Sequence, residues 1–204
     1  HTIGAPLVFD ATTRASEVWL IGDGATLQSG HHRRLSSQAS VPLLNVSDGA
    51  PRIHMHGLVL RSQVVVSGGV LFLHNCTCAG SNADEGGALQ VQSGSVHATE
   101  VSFVGCVARR GGAALILGGT SSFGRCSFTA NTATDADGGG ALCIEAGSVV
   151  LEQQTLLHGN IVGASSNSIW VGSGGSLEYR LPAPLGYYIN SLGQPAMQLD
   201  PGTY

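Results

Sequence analysis

The sequence predicts an all-β fold, a right-handed single-stranded parallel β-helix followed by an extended C-terminal tail. Two glycines, an alanine and an apolar residue recur at nearly even spacing, at Gly86–Leu89, Gly111–Ala114 and Gly139–Leu142. A fixed period of about 20 to 30 residues is typical of solenoid proteins, in which each repeat is one supersecondary unit. No helical periodicity lies inside the period, so the unit must be built from strands.

Each repeat contains a strand with apolar side chains at alternate positions. Because alternate side chains of a strand share a face, one face of these strands is predicted to lie in the core. One such strand cannot bury its apolar face alone, but stacked coils give each strand a parallel neighbour and a continuous apolar column. The residues predicted to lie inside are Leu89, Val91, Ala114, Ile116, Leu142 and Ile144.

A second element follows each glycine pair, where the chain has to turn again. An apolar residue stands three positions before a polar or small one, in the pairs Phe103 and Cys106, Phe128 and Asn131, and Leu157 and Asn160. Glycine admits backbone conformations that are closed to residues with a Cβ, which suits a corner. We expect Asn131 and Asn160 at corners too, because asparagine tolerates left-handed geometry and its amide can hydrogen-bond to the next coil.

The GGA-aliphatic element paired with F-x-x-N resembles the polymorphic outer membrane protein repeat. The resemblance covers about residues 64–171 and departs from the pattern where Cys106 replaces the asparagine and Leu157 replaces the phenylalanine. This family occurs in chlamydial surface autotransporters and in large secreted or surface proteins of algae and other protists. The resemblance implies a pectin-lyase-like β-helix used at a cell surface, usually without catalysis, and it implies no particular ligand.

We expect a single β-helical domain over residues 1–180. Its first strands are followed by a turn predicted at Gly22–Gly24. The predicted parts of the chain are a first coil or cap at 1–30, a polar loop insertion at 29–40, the clearest repeats at 64–171 and an extended tail at 181–204. The loop is interpreted as solvated, with a binding loop for an acidic glycan as the alternative. The tail contains several prolines and too few apolar residues for a core of its own.

Composition excludes two classes of partner. The 204 residues carry a formal net charge of −4, so there is no basic stripe to neutralise the phosphates of a nucleic acid. No apolar run reaches the roughly 18 to 20 residues needed to cross a bilayer, so we expect no membrane span. The low charged fraction of 11%, together with 30 glycines, suits one elongated domain with a repetitive core.

Two N-glycosylation sequons, at Asn45 and Asn75, indicate a eukaryotic secretory route and an extracellular or cell-surface location. The chain begins at His1 rather than a methionine, so we interpret it as a processed or partial product. Glycans attached to these two asparagines are the predicted covalent modification.

The five cysteines are odd in number, so at least one is unpaired within the chain. Cys76 and Cys126 fall at one repeat position two coils apart, a separation of about 10 Å that is beyond the reach of a disulfide. Cys78 and Cys106, on neighbouring coils, are the more feasible pair. The alternative is that most of these cysteines are small apolar residues lining the core.

The remaining candidate residues are histidines, acids and arginines. Alternation places His54 and His56 outside, where two imidazoles could share a metal, but exposed histidines are the expected interpretation, with no metal and no cofactor. Asp84 and Glu85 precede one glycine pair, and Asp135 and Asp137 precede another, with Arg109 and Arg110 at the equivalent place between them. Alternating acidic and basic rows would neutralise one another; a calcium site or a catalytic site are the alternatives.

These observations favour a non-catalytic structural or adhesive surface module that assembles with copies of itself or with other surface proteins, as in a filament. Residues near the C-terminal end are the candidates for assembly contacts: Trp170, Tyr187, Tyr188 and Tyr204. The alternative is a carbohydrate-active enzyme, a polysaccharide lyase or hydrolase, because the pectin-lyase-like architecture also hosts such enzymes.

Overall fold

The computed structural model describes residues 2–3, 7–10, 12, 15–29, 42–152, 154–180, 188–189 and 195–196. These residues are all-β, with no helix among them and therefore none that could cross a membrane. The strands are β1 (Thr2–Ile3), β2 (Leu7–Phe9), β3 (Glu17–Ser29), β4 (Leu44–Val46), β5 (Arg52–Leu60), β6 (Val64–Val66), β7 (Val70–His74), β8 (Thr77–Ala79), β9 (Leu89–Val91), β10 (Ser95–Thr99), β11 (Ser102–Val104), β12 (Val107–Ala108), β13 (Ala114–Ile116), β14 (Thr120–Gly124), β15 (Ser127–Thr129), β16 (Thr132–Ala133), β17 (Leu142–Leu151), β18 (Leu156–His158), β19 (Ile161–Val162), β20 (Ser165–Ser166), β21 (Ile169–Tyr179), β22 (Tyr188–Ile189) and β23 (Pro195–Ala196).

Seventeen of the strands form one sheet in which the paired strands run parallel. The strands of this sheet and of the smaller sheet of β12, β16, β19 and β20 fall into seven rows: β2–β3, β4–β5, β6–β8, β9–β12, β13–β16, β17–β20 and β21. The short strand β1 pairs with the end of β3 and lies before the first row. Each row pairs with the next at equivalent positions. One position can be followed through all seven rows, in the order Val8, Asn45, Val65, Gln90, Leu115, Cys143 and Trp170.

The apolar core runs through these rows as the alternation predicts. Leu89, Val91, Ile116 and Ile144 are at most 1% exposed, which confirms the predicted strand register. Three phenylalanines fill the middle rows. Phe103 and Phe128 stack with ring centroids 4.6 Å apart and an interplanar angle of 2°, and Phe123 meets both edge-on. Such contacts add to the stabilisation that comes from burial of the rings.

In the first two glycine pairs the two glycines have different roles, whereas in the third pair neither Gly139 nor Gly140 has a positive φ. Gly86 has a φ of 61°, in the left-handed region that residues with a Cβ rarely adopt. Gly87 has no such φ, but a Cβ on it would lie 2.1 Å from the carbonyl oxygen of Gly112 in the next row. The first glycine therefore sets the corner, and the second allows adjacent rows to approach closely.

The asparagines of the F-x-x-N element differ from one of our expectations. The left-handed conformation predicted for Asn131 and Asn160 is wrong, because neither has a positive φ. The predicted hydrogen bonding across rows is present: both side chains are fully buried, and each amide donates to a carbonyl of the preceding row, Asn131 to Phe103 at 3.0 Å and Asn160 to Phe128 at 2.9 Å. These side chains therefore hydrogen-bond to strand residues of the neighbouring row instead of forming the turn themselves.

A different corner carries four of the five non-glycine residues that have a positive φ in the described part of the chain. Asn75, Glu100, Arg125 and Gln154 have φ values of 49°, 58°, 50° and 62°, and they occupy equivalent places in four successive rows. Their side chains point away from the core and are exposed or half-exposed. Each such residue costs about 1 to 2 kcal/mol relative to a right-handed conformation, a strain that the surrounding ladder holds in place.

The ends of the chain agree only in part with the predicted boundaries. The turn predicted at Gly22–Gly24 is instead a register irregularity inside the long strand β3. Most of the loop predicted at 29–40 lies outside the described residues. In the tail, β22 and β23 pair antiparallel as a two-stranded sheet of their own, and the other residues of 181–204 lie outside the described part of the chain.

Candidate functional site

Acidic and basic residues meet in neighbouring rows just before the glycine pairs. The guanidinium of Arg110 lies between the carboxylates of Glu85 and Glu145 and contacts both. Next to it, Arg109 Nη2 lies 3.1 Å from Asp135 Oδ2. The hydrogen bond to Glu85 raises the pKa of Arg110, against the opposing effect of its burial. The structure thus confirms the predicted neutralisation for Glu85 and Asp135, and adds Glu145, which follows the third glycine pair and was not predicted.

A cleft opens beside this charged row. The third glycine pair comes later than an exact repeat would place it, because extra residues form a turn closed by the hydrogen bond from Gly138 N to Asp135 O at 3.0 Å. The cleft is lined by Arg110, Thr134, Asp135, Ala136, Asp137, Glu145 and Trp170. Among the described residues, no group of three or more histidine, cysteine, aspartate or glutamate side chains is arranged to hold a metal ion.

Four of the described histidines lie outside the core in two columns of stacked rings, and His54 and His56 are on the outer face as predicted. Ile53 and Met55 are buried, whereas His54 and His56 on the opposite face are half-buried. The first column has ring centroids separated by 4.0, 4.5 and 5.1 Å and consists of Trp19, His54, Phe72 and His97. The second column pairs His56 with His74 at 4.9 Å.

Sequence reasoning missed the first of these columns. Its signal was present, since an aromatic or imidazole residue stands in the same outward position of four successive rows. The position can be recognised only once the register is known, because its members are unequally spaced along the chain. The irregular early repeats therefore hid the column.

The two sequons have different surroundings. Asn75 is exposed at a left-handed corner, which leaves its side-chain amide accessible. Asn45 lies in the middle of β4, is half-buried, and its Oδ1 accepts a hydrogen bond from Ser67 Oγ at 3.2 Å. The hydroxyl of Ser47, the third residue of that sequon, donates to the carbonyl of Phe9 at 3.0 Å. The geometry therefore favours Asn75 as an acceptor of glycan.

All five cysteines are buried free thiols in the structure. The predicted pair Cys78 and Cys106 is not bonded, because Cys78 pairs in register with Phe103, and Cys106 Sγ instead meets the carbonyl oxygen of Cys78 at 3.5 Å. Cys76 and Cys126 share one position with Val101 between them, as their spacing predicts. Burial raises the pKa of Cys106 to about 11 and the pKa of Cys126 to about 12. These features match the alternative of small apolar residues in the core.

Of the residues predicted as assembly contacts, Trp170 is half-buried in the last row and lines the cleft beside Arg110. Tyr188 begins β22. Tyr187 and Tyr204 lie outside the described residues.

Comparison with known proteins adds no relative: no protein-family model, curated protein or solved structure matches this chain.

Proposed function

We propose that this chain is a non-catalytic structural or adhesive module of an extracellular surface. In this proposal it is built as a right-handed single-stranded parallel β-helix of the polymorphic outer membrane protein repeat type. The seven rows of parallel strands, paired at equivalent positions, support such an architecture. Glycan on Asn75 and association with further copies or with other surface proteins complete the proposal.

The observation that carries the proposal is the state of the acidic residues. A glycosidase needs two carboxylates on either side of the scissile bond, one of them free to transfer a proton. Here Glu85 and Glu145 share the guanidinium of Arg110, and Asp135 pairs with Arg109. Carboxylates held in ion pairs of this kind have their charges compensated within the protein, which suits a structural role.

The test of the proposal is an assay of the secreted protein on pectin, alginate and their oligosaccharides. We expect no cleavage above that of heat-denatured protein, together with self-association detected by sedimentation at increasing concentration. Turnover that disappears in Asp135→Ala or Asp84→Ala would overturn the non-catalytic role. A monomer at every concentration would instead overturn the self-assembling role.

One observation favours the alternative of a carbohydrate-active enzyme. The cleft places the aromatic ring of Trp170 near Asp135 and Asp137, and Asp137 is exposed on the turn that forms its wall. An aromatic face with convergent polar groups suits binding of a small polar ligand. Under the alternative, Asp137→Asn would abolish activity, whereas under the main proposal it would leave every measured property unchanged.

A further inference from the structure

The two ends of the stack of rows have incompletely buried apolar residues. In the middle rows, the inward-facing residues Leu71, Val96 and Val149 are fully buried. At the two ends of the same column, Val18 in the first row and Leu177 in the last row are only partly buried, although both pack against the core. Each end therefore has apolar surface that a further row would cover.

Among the described residues, the three most exposed large apolar side chains lie in the first row and one more lies in the last row, whereas three others, in inner rows, are 37% to 39% exposed. In the first row, Val8, Trp19 and Ile21 are 54%, 57% and 72% exposed, and in the last row Val171 is 40% exposed. Ile21 and Trp19 alternate on one strand, so they share its outer face. Exposed apolar groups clustered in this way mark surfaces that bind a partner.

The backbone at both ends is also open over much of its length. Among the described residues, β21 pairs with β17 alone, so one of its two edges has no strand beside it. On β3, the strand pairing recorded between described residues at the edge facing away from β5 is that of Gln28 and Ser29 with β1. The strands β22 and β23 form a separate sheet and do not occupy either edge. Open edges of parallel strands are templates for pairing with another chain.

We propose that the last row of one molecule pairs with the first row of a second copy, in parallel and in the register that already relates the rows. This inference rests on the proposed self-assembling role and names its contact. Continuing the columns places Leu177 against Val18 of the second copy and Ile169 against its Leu7, both inward-facing. On the outside, Glu178 lies beside Trp19 of that copy, and Trp170 lies beside its Val8.

The chemistry of the outward positions is complementary. The ring of Trp19 stacks on His54 at 4.0 Å, and the stack ends there among the described residues, so the other ring face is available to a neighbour. Arg180 follows the end of β21, and its guanidinium lies 3.6 Å from both Glu152 and Glu178. In the proposed register this guanidinium reaches the free face of Trp19 of the second copy, a contact that planar cations favour. A head-to-tail contact of this kind does not close, so it generates a filament.

Engineered cysteines test both the contact and its register. The native cysteines are buried, so the unmodified protein is the control for background crosslinking. Trp19→Cys and Glu178→Cys are made in separate molecules, mixed and oxidised. Neighbouring parallel strands lie about 4.8 Å apart, which is within disulfide reach, so we expect a crosslinked dimer. Replacing Glu178→Cys by Ser176→Cys shifts the partner two residues along the strand, and we expect at least about tenfold less crosslinking.

Val8→Cys mixed with Trp170→Cys provides a second pair in the same register. A dimer formed by Trp19→Cys alone indicates that two first rows meet, and it overturns the inference. Sedimentation that shows self-association while neither cysteine pair crosslinks also overturns it, but leaves the self-assembling role standing. If the unmodified protein is a monomer at all concentrations, the self-assembling role fails as well.

Discussion

The amide of Asn131 donates a hydrogen bond to Oδ1 of Asn160 at 2.9 Å, and the same oxygen accepts the backbone N–H of Asn131 at 3.1 Å. One row back, Oδ1 of Asn131 accepts the backbone N–H of Cys106 at 2.9 Å. The two asparagines thus form a ladder that links three rows inside the core. Each satisfies backbone groups that the turn leaves without partners in the sheet.

Asn131→Ala should lower the free energy of unfolding by about 2 to 4 kcal/mol, because it leaves the N–H of Cys106 buried without a partner and removes the side-chain hydrogen bond to the carbonyl of Phe103. Urea denaturation followed by circular dichroism measures the loss. The matched control is Thr132→Ala at the next, half-buried position, which should change the free energy by about 0.5 kcal/mol or less. Equal losses in the two variants would contradict the role of the ladder.

Cys106→Asn should raise stability by about 1 kcal/mol, because it extends the ladder by one row. Ser81, Cys106 and Asn131 occupy equivalent positions in three successive rows, so they form one column. An asparagine there can donate to the carbonyl of Cys78, as Asn131 does to Phe103. The control is Cys106→Ser, because a serine side chain is too short to make the same hydrogen bonds as asparagine. A variant less stable than the unmodified protein would show that the column has no room for the longer side chain.

Ala130→Gly should stabilise the protein by up to about 1 kcal/mol, since Ala130 has a φ of 54° that glycine adopts without strain. The equivalent residues in the adjacent rows are Gly105 and Gly159, both with a φ of 62°. Gly105→Ala is the reciprocal test, because its Cβ would have no atom within 4 Å and any loss reports the backbone alone. In thermal melts, Ala130→Gly is expected to raise the melting temperature and Gly105→Ala to lower it. A shift in the same direction for both variants would refute the explanation.

Alkaline pH should destabilise the protein through its buried thiols. Burial raises the pKa of Cys126 from 9.0 to about 12 and that of Cys106 to about 11. Between pH 9 and these values the unfolded chain binds fewer protons than the folded chain, so the free energy of unfolding decreases as the pH rises. Denaturation curves at pH 8, 9 and 10 measure this slope. Cys126→Ala should make the dependence of the free energy of unfolding on pH less steep. An unchanged dependence would indicate that other groups cause the loss of stability.

Expression through a eukaryotic secretory route should yield glycan on Asn75 in preference to Asn45. The reason is exposure, since Asn75 stands at a corner whereas the carbonyl of the Asn45 side chain is engaged by Ser67. Peptide mass spectrometry measures occupancy at both sites, and Asn75→Gln should remove most of the added mass. Higher occupancy at Asn45 would contradict this ranking.

The middle of the fold could be predicted from the sequence because its repeats have nearly constant length. Alternation alone placed Leu89 and Ile116 in the core, and the equivalence of acidic and basic positions anticipated the pairing of Arg110 with Glu85. Both inferences depend only on counting from the glycine pairs, which mark the same corner in each repeat.

Two features could not be predicted from the sequence because they depend on the register between rows: the stacking of Trp19 on His54 and the surroundings of the cysteines. The polar segment 29–40 lies between Trp19 and His54, so their stacking follows from strand register and not from spacing. The pairing proposed for Cys78 and Cys106 assumed that neighbouring rows alone bring cysteines together. In the observed register, Cys106 lies beside Ser81 of the preceding row. Cys78 is three residues earlier in that row and lies beside Phe103.

The constant register between rows also makes the repeat a unit of length. Val107 pairs with Thr132 and Ser102 with Ser127, so the segment 107–131 could be removed and its flanking residues would still continue the same columns. Each such unit adds about 4.8 Å to the stack, the distance between neighbouring strands. Duplication or loss of a repeat therefore lengthens or shortens the stack by one strand spacing without creating a new core. The length of the protein can thus change during evolution in increments of one repeat.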